Sequence, residues 1–463
     1  GWRAMAESGG SGGLMDKGIA PGRAPLVAVP PERFGSRGPD MRVRIRTAVN
    51  SVQLGGSGPV IFWTGGDDAS GAAKPLRSDG VVDVTLENGQ FVLRSPEGVA
   101  GAASVSGIWA SAIGSGAGND GGGGVIGVDG TDHPGRIRLV PRAGGGASQG
   151  AFDVVAHVAL EEYLPGVVGK EMLIGWPLEA FRVQAVCART YALQERGLSS
   201  RRGDAFDVES SDRDQVYAGS ITNQAVVEAV RSTRGQVVMD GDRVLRAYYS
   251  STCGGRTASA RDTWPTKPGY EYNLAGPIQA RSRESCCEKS PLFRWSVTRD
   301  RDELTRRIRA FGERQHLLVR KIKAVHSIEP AAFNEDGRPS KYKVVEPGGT
   351  WYSLSGEELR LACNNSVAAI SVAGVEGMGV GASASVDAQS GLPGLALVDR
   401  KTRVHSSDFE VRPSREGLVF SGRGFGHGVG MCQYCAKGFA ERGEEWRTMI
   451  ARFYPGAHVK QLY

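Results

Sequence analysis

Apolar and polar positions alternate at the start of residues 41–49, where Met41, Val43 and Ile45 are separated by Arg42, Arg44 and Arg46. That is the period of a strand with one buried face. Shorter strand-like runs follow at 60–63, 81–86, 91–93 and 137–140, divided by turn residues, so 41–155 reads as a β-rich N-terminal subdomain. The period then changes. Residues 164–172 and 176–196 lack alternation and predict two helices, with Pro165 and Pro177 in their first turns and Gly197 past the end of the second. Residues 184–193 are small or apolar nearly all round, which predicts a buried helix. Further helices are expected over 222–231, over 299–318 with Leu304, Ile308 and Phe311 at helical spacing, and over 431–454 with a break at Gly443. Strands are expected at 235–239 and 244–249. The class is therefore α+β: the β-rich region is followed by a mixed helix-strand core over 156–463. Residues 1–40 read as a flexible Gly/Pro tail, and 99–130 and 371–395 as flexible Gly-rich insertions.

Composition narrows the classes. With 463 residues, 40% of them hydrophobic and 23% charged, the chain can bury a real core in two or three domains. The formal charge of +6 is mild for this length and does not imply nucleic acid. Residues 281–323 carry thirteen Lys/Arg against six Asp/Glu, a surface suited to an anionic envelope polymer or membrane, or else a solvated helix face. No run of eighteen apolar residues predicts a membrane span. The first residue is Gly, and 1–25 lacks the apolar core of a signal peptide, so an export signal is expected to have been removed or to lie outside this sequence. Seven cysteines cannot all pair within one chain; a metal site with spare thiols fits at least as well.

Three features carry candidate chemistry. Gly422, Gly424, Gly426, Gly428 and Gly430 alternate around His427, which predicts close approach by a ligand or another backbone segment. Glu171 follows Val167 and Val168 at helical spacing, so it projects from an apolar stripe where desolvation favours a general acid; the structural alternative pairs it with Arg189. Cys253, the adjacent Cys286 and Cys287, and Cys432 with Cys435 offer soft ligands from three segments, a set suited to zinc. A disulfide such as Cys253 with Cys287, or small buried residues, would also account for them, as the latter does for Cys187 and Cys363, and His427 could replace one thiol.

The motifs carry a resemblance. Tyr163-Leu-Pro-Gly-Val-Val-Gly-Lys-Glu-Met172 and Glu179-Ala-Phe-Arg-Val-Gln-Ala-Val-Cys-Ala-Arg-Thr-Tyr-Ala192 resemble the signature of the SpoIID/LytB family of peptidoglycan-acting proteins. Gln215-Val-Tyr-Ala-Gly219, Thr233-Arg-Gly-Gln236, Tyr248-Tyr-Ser-Ser-Thr-Cys-Gly-Gly-Arg-Thr257, Ser290-Pro-Leu-Phe-Arg-Trp295 and the glycine-rich block through Tyr434 follow in the family's order. The resemblance implies an extracytoplasmic lytic transglycosylase, in the cell envelope or periplasm, that cleaves the MurNAc-β-1,4-GlcNAc bond and leaves 1,6-anhydroMurNAc ends, with Glu171 as general acid and base. Gln184, Arg189, Tyr191, Ser250, Ser251, Gly426, His427 and Gln433 are the candidates to position the helix or touch sugar, with structural service the better role for Arg189. Some members hold zinc through His and Cys; here Ser250 stands where such members have His, so the ligands implied are Cys253, Cys287 and Cys432, with Cys435 or Cys286 fourth, in a structural site. Leu173 stands where the family often has proline. The partners implied are glycan strands, with peripheral envelope association. Because some members are described as enhancers of a wall amidase, the alternative is a non-catalytic wall-binding enhancer. A zinc amidase or peptidase would want a His-x-x-x-His or equivalent pair, which is lacking.

Overall fold

The computed structural model describes residues 35–56, 58–65, 75–95, 98–103, 107–113, 124–142, 150–211, 214–365, 398–399 and 401–463. Residues 1–34 of the expected tail over 1–40 and the expected insertion over 371–395 lie outside them; the last tail residue, Asp40, already opens a strand. The described chain divides into two units, one ending at Met239 and rejoined by 459–463, the other spanning 240–458.

The first unit opens with β1 (Asp40–Val49), β2 (Ser51–Gly56), β3 (Val60–Trp63), β4 (Leu76–Ser78), β5 (Val82–Glu87) and β6 (Gln90–Ser95). It continues through β7 (Gly98–Ala103), β8 (Ile108–Ala112), β9 (Val125–Val128), β10 (Thr131–Pro134), β11 (Arg136–Pro141) and β12 (Phe152–Ala159). These make two sheets: a seven-stranded one ordered β13-β1-β12-β11-β8-β3-β4, in which β13 is Val208–Glu209, and a six-stranded one ordered β10-β9-β2-β5-β6-β7. They meet at Phe91 and Phe152, whose rings are edge-on at 5.3 Å. The alternation in β1 is realised. Met41, Val43 and Ile45 are buried, while Arg42 grips Asp207 and Arg44 reaches Asp153 and Glu209. The expected flexible insertion over 99–130 is corrected: β7, β8 and β9 fall within it, and β8 is buried at every position in the seven-stranded sheet. Small residues weaken the strand signal in a sequence without preventing the ladder that buried neighbours supply.

Three helices follow: α1 (Leu160–Glu171), α2 (Leu178–Arg202) and α3 (Gln224–Ser232). α1 starts directly from β12, with Leu160, Tyr163, Leu164 and Val167 buried, so Pro165 lies in its second turn instead of its first. α2 runs through Gly197 and stops at Gly203, whose φ of 69° caps it. Its last turns are held by packing that local propensity does not report: Leu198 is buried, and Ser199 Oγ donates to Asp207 at 2.5 Å.

Arg189 is the charge on which these helices converge. It is 0% exposed. Its Nε and Nη2 donate to the two carboxylate oxygens of Glu161 at 2.7 and 2.8 Å, and its remaining donors reach the carbonyls of Val230 and Gln236. Glu161 also accepts from the Tyr463 hydroxyl at 2.5 Å. The partner of Arg189 is thus Glu161 and not Glu171.

The second unit holds a short parallel pair, β16 (Tyr249–Ser250) with β23 (Met431–Cys432). It also holds an antiparallel sheet of β17 (Trp295–Arg299), β22 (Gly417–Gly422) and β21 (Phe409–Ser414), and a meander of β18 (Ser327–Phe333), β19 (Pro339–Val345) and β20 (Trp351–Ser355). α5 (Arg301–Arg314) buries Leu304, Ile308 and Phe311 as its spacing predicts, and packs with α6 (Gly356–Cys363) over a core that includes Val344, Leu359 and Phe420. The basic run is only partly a surface: Arg299 and Arg307 are buried, both paired with Glu303. α7 (Gln433–Glu441) and α8 (Trp446–Phe453) flank the break at Gly443.

Two outcomes follow for stability. Glu161→Ala strands the Arg189 charge and should cost about 3–5 kcal/mol, read as a lower urea midpoint with an unchanged slope; adding Arg189→Met should recover part of it. His133 in β10 is buried, with neither ring nitrogen hydrogen-bonded among the described residues. Burial holds its pKa down to about 4 from 6.5, with Arg46 adding to the effect. The unfolded chain therefore binds the proton first as pH falls. The ring's contribution is complete above pH 6.5 and is lost towards pH 4, on the order of 2–3 kcal/mol. His133→Phe should flatten the fall of stability across that window in pH-dependent urea melts.

Candidate functional site

In the first unit, Glu171 is the last residue of α1. Val167 and Val168 beneath it are fully buried, and Glu171 is half-buried. The backbone N–H of Val216 donates to its Oε1 at 3.5 Å. The 215–219 loop that supplies this N–H is fixed from several sides. Tyr163 Oη donates to Gln215 Oε1 at 3.0 Å, Gln215 Nε2 donates to the Ala188 carbonyl, and the Ala218 N–H donates to the Gly166 carbonyl. Gly166 permits the approach, since a Cβ there would stand 2.3 Å from the Gly219 carbonyl oxygen. Past the helix, Leu173 and Ile174 are 62% and 72% exposed, so the stretch that follows the acid presents two apolar side chains to solvent.

The sugar-contact candidates on α2 take another place. Gln184, Arg189 and Tyr191 are all buried inside the unit. Arg189 spends its donors on Glu161, the Thr233 hydroxyl and backbone carbonyls, so it ties α2 to α1.

In the second unit the alternating glycines are explained by neighbouring segments of the chain: backbone stands against Gly424 and Gly430, and the side chains of Trp295, Ser250 and Arg338 against Gly422, Gly426 and Gly428. The Thr252 N–H donates to the Phe425 carbonyl and the Phe425 N–H returns the bond at 2.8 Å, while the Gly426 N–H donates to His405 and the Met431 N–H to Tyr248. The strand is threaded between these segments. At Gly424 a Cβ would lie 2.4 Å from the Thr252 carbonyl oxygen, and at Gly430 2.1 Å from that of Tyr248; both glycines also have φ above +65°. The close approach is therefore made by another segment of the same chain. Ser250 is buried and its Oγ accepts from the Gly428 N–H; the Cβ of Ser250 is the nearest atom to where a Gly426 Cβ would stand. Ser251 is half-buried, and Gln433, the first residue of α7, is buried.

The same threading assembles the thiols. Cys253, Cys287, Cys432 and Cys435 are buried, and their sulfurs all lie within 4.8 Å of one another. Cys253 Sγ is 3.7 Å from Cys287 Sγ and 3.8 Å from Cys435 Sγ. A disulfide would need about 2.05 Å, and all seven cysteines are free. Ligands at about 2.3 Å around a tetrahedral ion would be about 3.8 Å apart, so this donor set fits one. Backbone N–H groups point at the sulfurs: Cys253 and Cys435 donate to Cys432 Sγ, and Cys286 donates to Cys435 Sγ. Cys435 and not Cys286 completes the set, and His427 lies outside it. Hydrogen bonds from Cys287, Cys432 and Cys435 hold the Cys253 thiol well below its usual range, whereas burial pushes Cys432 up and the bond with Cys253 pushes Cys435 up. One thiolate is favoured without a cation; a dication would stabilise all four.

His427 packs with rings that the sequence reading passed over. Tyr248 and Trp264 stack at 3.9 Å with planes 15° apart, and His427 stands edge-on to both, 5.9 and 4.8 Å away. Its Nδ1 accepts from the Val429 N–H, which assigns the hydrogen to Nε2. Burial pushes its pKa down to about 4, so the ring is neutral at neutral pH. Trp264, Tyr270 and Tyr272 fall within nine residues of a Pro/Gly-rich loop, and that aromatic density was the available signal.

Residues 148–239 match the SpoIID family profile, described as Stage II sporulation protein. The chain is 25% identical over 307 residues to an uncharacterized protein of Brachyspira hyodysenteriae, covering 66% of this chain and 68% of that one. It is 25% identical over 305 residues to the amidase enhancer of Bacillus subtilis, covering 63% of this chain and 39% of the relative, and so spans about two fifths of that protein's length. It is 23% identical over 321 residues to stage II sporulation protein D of Bacillus amyloliquefaciens, covering 66% and 76%. The profile takes in α1, with Glu171 at its end, α2 and α3, and the relatives' names support the SpoIID/LytB assignment for this segment.

Proposed function

We propose that this protein is a peptidoglycan lytic transglycosylase acting outside the cytoplasm on the MurNAc-β-1,4-GlcNAc bond. The observation that carries the reading is Glu171, half-buried at the end of a helix whose preceding face is fully buried. Glu171 donates its proton to the glycosidic oxygen as the C1–O bond breaks. The muramoyl C6 hydroxyl then forms the new C1–O6 bond, and its proton returns to the Glu171 carboxylate. Because the nucleophile belongs to the substrate, proximity replaces the second carboxylate that a hydrolase uses to activate water. The Val216 N–H, 3.5 Å from Oε1, stands where it can donate to the carboxylate form.

Cys253, Cys287, Cys432 and Cys435 would hold zinc. Four thiolates leave no open position, so the ion's role is to lock three segments of the second unit together. Among the described residues no helix is long and apolar enough to cross a membrane.

A second reading rests on the name of one relative, the amidase enhancer: a protein that binds wall glycan, and with it an amidase, without cutting. The two readings separate on Glu171→Gln. With intact sacculi and with peptide-stripped strands, the wild type should release 1,6-anhydroMurNAc ends by mass spectrometry, and the variant should lose at least about a hundredfold in rate while still pulling down glycan. If the wild type releases no such ends yet binds the strands, the enhancer reading stands instead. Elemental analysis should find one zinc per chain. Cys432→Ser should lose it and lower Tm, while Cys286→Ser should keep it.

A further inference from the structure

The second unit carries a cluster of aromatic rings around Trp264. Tyr248 is buried, and its hydroxyl donates to Asn273 Oδ1 at 2.7 Å. Asn273 Nδ2 in turn donates to the Pro265 carbonyl at 2.7 Å, which pins the residue after Trp264. The Arg246 guanidinium, itself buried, lies 5.2 Å from the Tyr248 ring centre and 4.8 Å from that of Tyr272. This is a rigid base for the half-buried Trp264. His427 is roughly perpendicular to both stacked rings and close to each, so it flanks the pair instead of capping it. Tyr248 occupies one face of the indole. A ring donor, the His427 Nε2–H, stands at the edge of that stack.

We propose that Trp264, backed by Tyr248 and flanked by His427, is a stacking subsite for one pyranose ring of a β-1,4-linked N-acetylhexosamine chain. The axial C–H face of such a ring is flat and apolar, matching an indole face, while its hydroxyl and acetamido groups lie at the rim where a neutral imidazole N–H can donate. His427 keeps that single donor because Val429 occupies Nδ1. The occupant is thus an uncharged sugar ring and not the stem peptide. The inference rests on the reading of the protein as one that handles wall glycan, but it does not require cleavage.

The test uses the full chain carrying Glu171→Gln, so that no strand is consumed, with tetra-N-acetylchitotetraose and peptide-stripped glycan strands as calorimetric probes. Adding Trp264→Leu, which keeps an apolar cover over Tyr248, should weaken both probes about tenfold or more, the scale of one lost aromatic contact. Trp264→Phe should stay within about threefold of its parent, and His427→Gln should lose less than Trp264→Leu. Free stem peptide should not compete. Should the leucine variant fail to fold, saturation-transfer NMR on the parent decides: transfer from aromatic protons to H1, H3 and H5 of one sugar supports the stack, and uniform or absent transfer overturns it. Unchanged affinity in Trp264→Leu, or competition by stem peptide, also overturns it. Loss of anhydro products from the wild type with retained Trp264-dependent binding would sink the catalytic proposal and leave this subsite standing.

Discussion

The second unit is built on one steric condition: the backbone of 422–430 must pass between Tyr248–Thr252 and His405–Ser406 with no room for a Cβ at every second position. Side chains at Gly424 or Gly430 would collide with the carbonyls that receive or flank the strand's own hydrogen bonds. Threading places Met431 and Cys432 in register with Tyr249 and Ser250. Cys432 then caps α7, so its sulfur, that of Cys435 one turn on, and that of Cys253 from the neighbouring segment fall within one small volume. The alternation of glycine is thus the condition for the four-thiol cluster and for the placement of His427, not a separate ligand loop.

The first unit depends on a different kind of constraint, a buried ion pair. Arg189 and Glu161 gain from each other only because every remaining donor of the guanidinium meets a carbonyl or hydroxyl; a pair with gaps would cost more in desolvation than it returns. The consequence is geometric. Arg189 on α2, Glu161 on α1 and the α3–β14 turn, where β14 is Gln236–Asp240, must all keep their relative positions. The orientation of α1, and so the place where Glu171 emerges, follows from that closure. A motif helix rich in polar side chains can therefore be internal over most of its length.

Elements whose burial is one-sided were legible in the sequence. β1 and α5 each declare their buried face through period, and the apolar circumference of α2 declares its depth. The thiol set was legible as residues, but the exclusion of Cys286 was not, because it and the adjacent Cys287 differ only in which side of the loop faces inward. Other misses share a cause: tertiary packing outweighed a local signal. Pro165 hides the start of α1, Gly197 hides the continuation of α2, and the glycines and alanines of β7 to β9 hide strands whose neighbours supply the ladder. Trp264 was missed because turn-rich loops advertise their conformation and not the rings they carry.

A reaction that uses one acid and an internal nucleophile shifts the burden of catalysis on the proposed pathway. No positioned water or second carboxylate enforces the outcome, so the sugar must be held with its C6 hydroxyl towards C1 when the glycosidic bond weakens, and small displacements are costly in such reactions. That demand falls on rigidity more than on added functional groups. The molecule's investments agree with it. The 215–219 loop that touches Glu171 is tied to α1 and α2 by side-chain and backbone bonds. The rings around Trp264 rest on a buried cation and a buried amide. A dication held by the four thiols would belong to the same economy: it would tie the segments around His427 together and add no reactive position of its own.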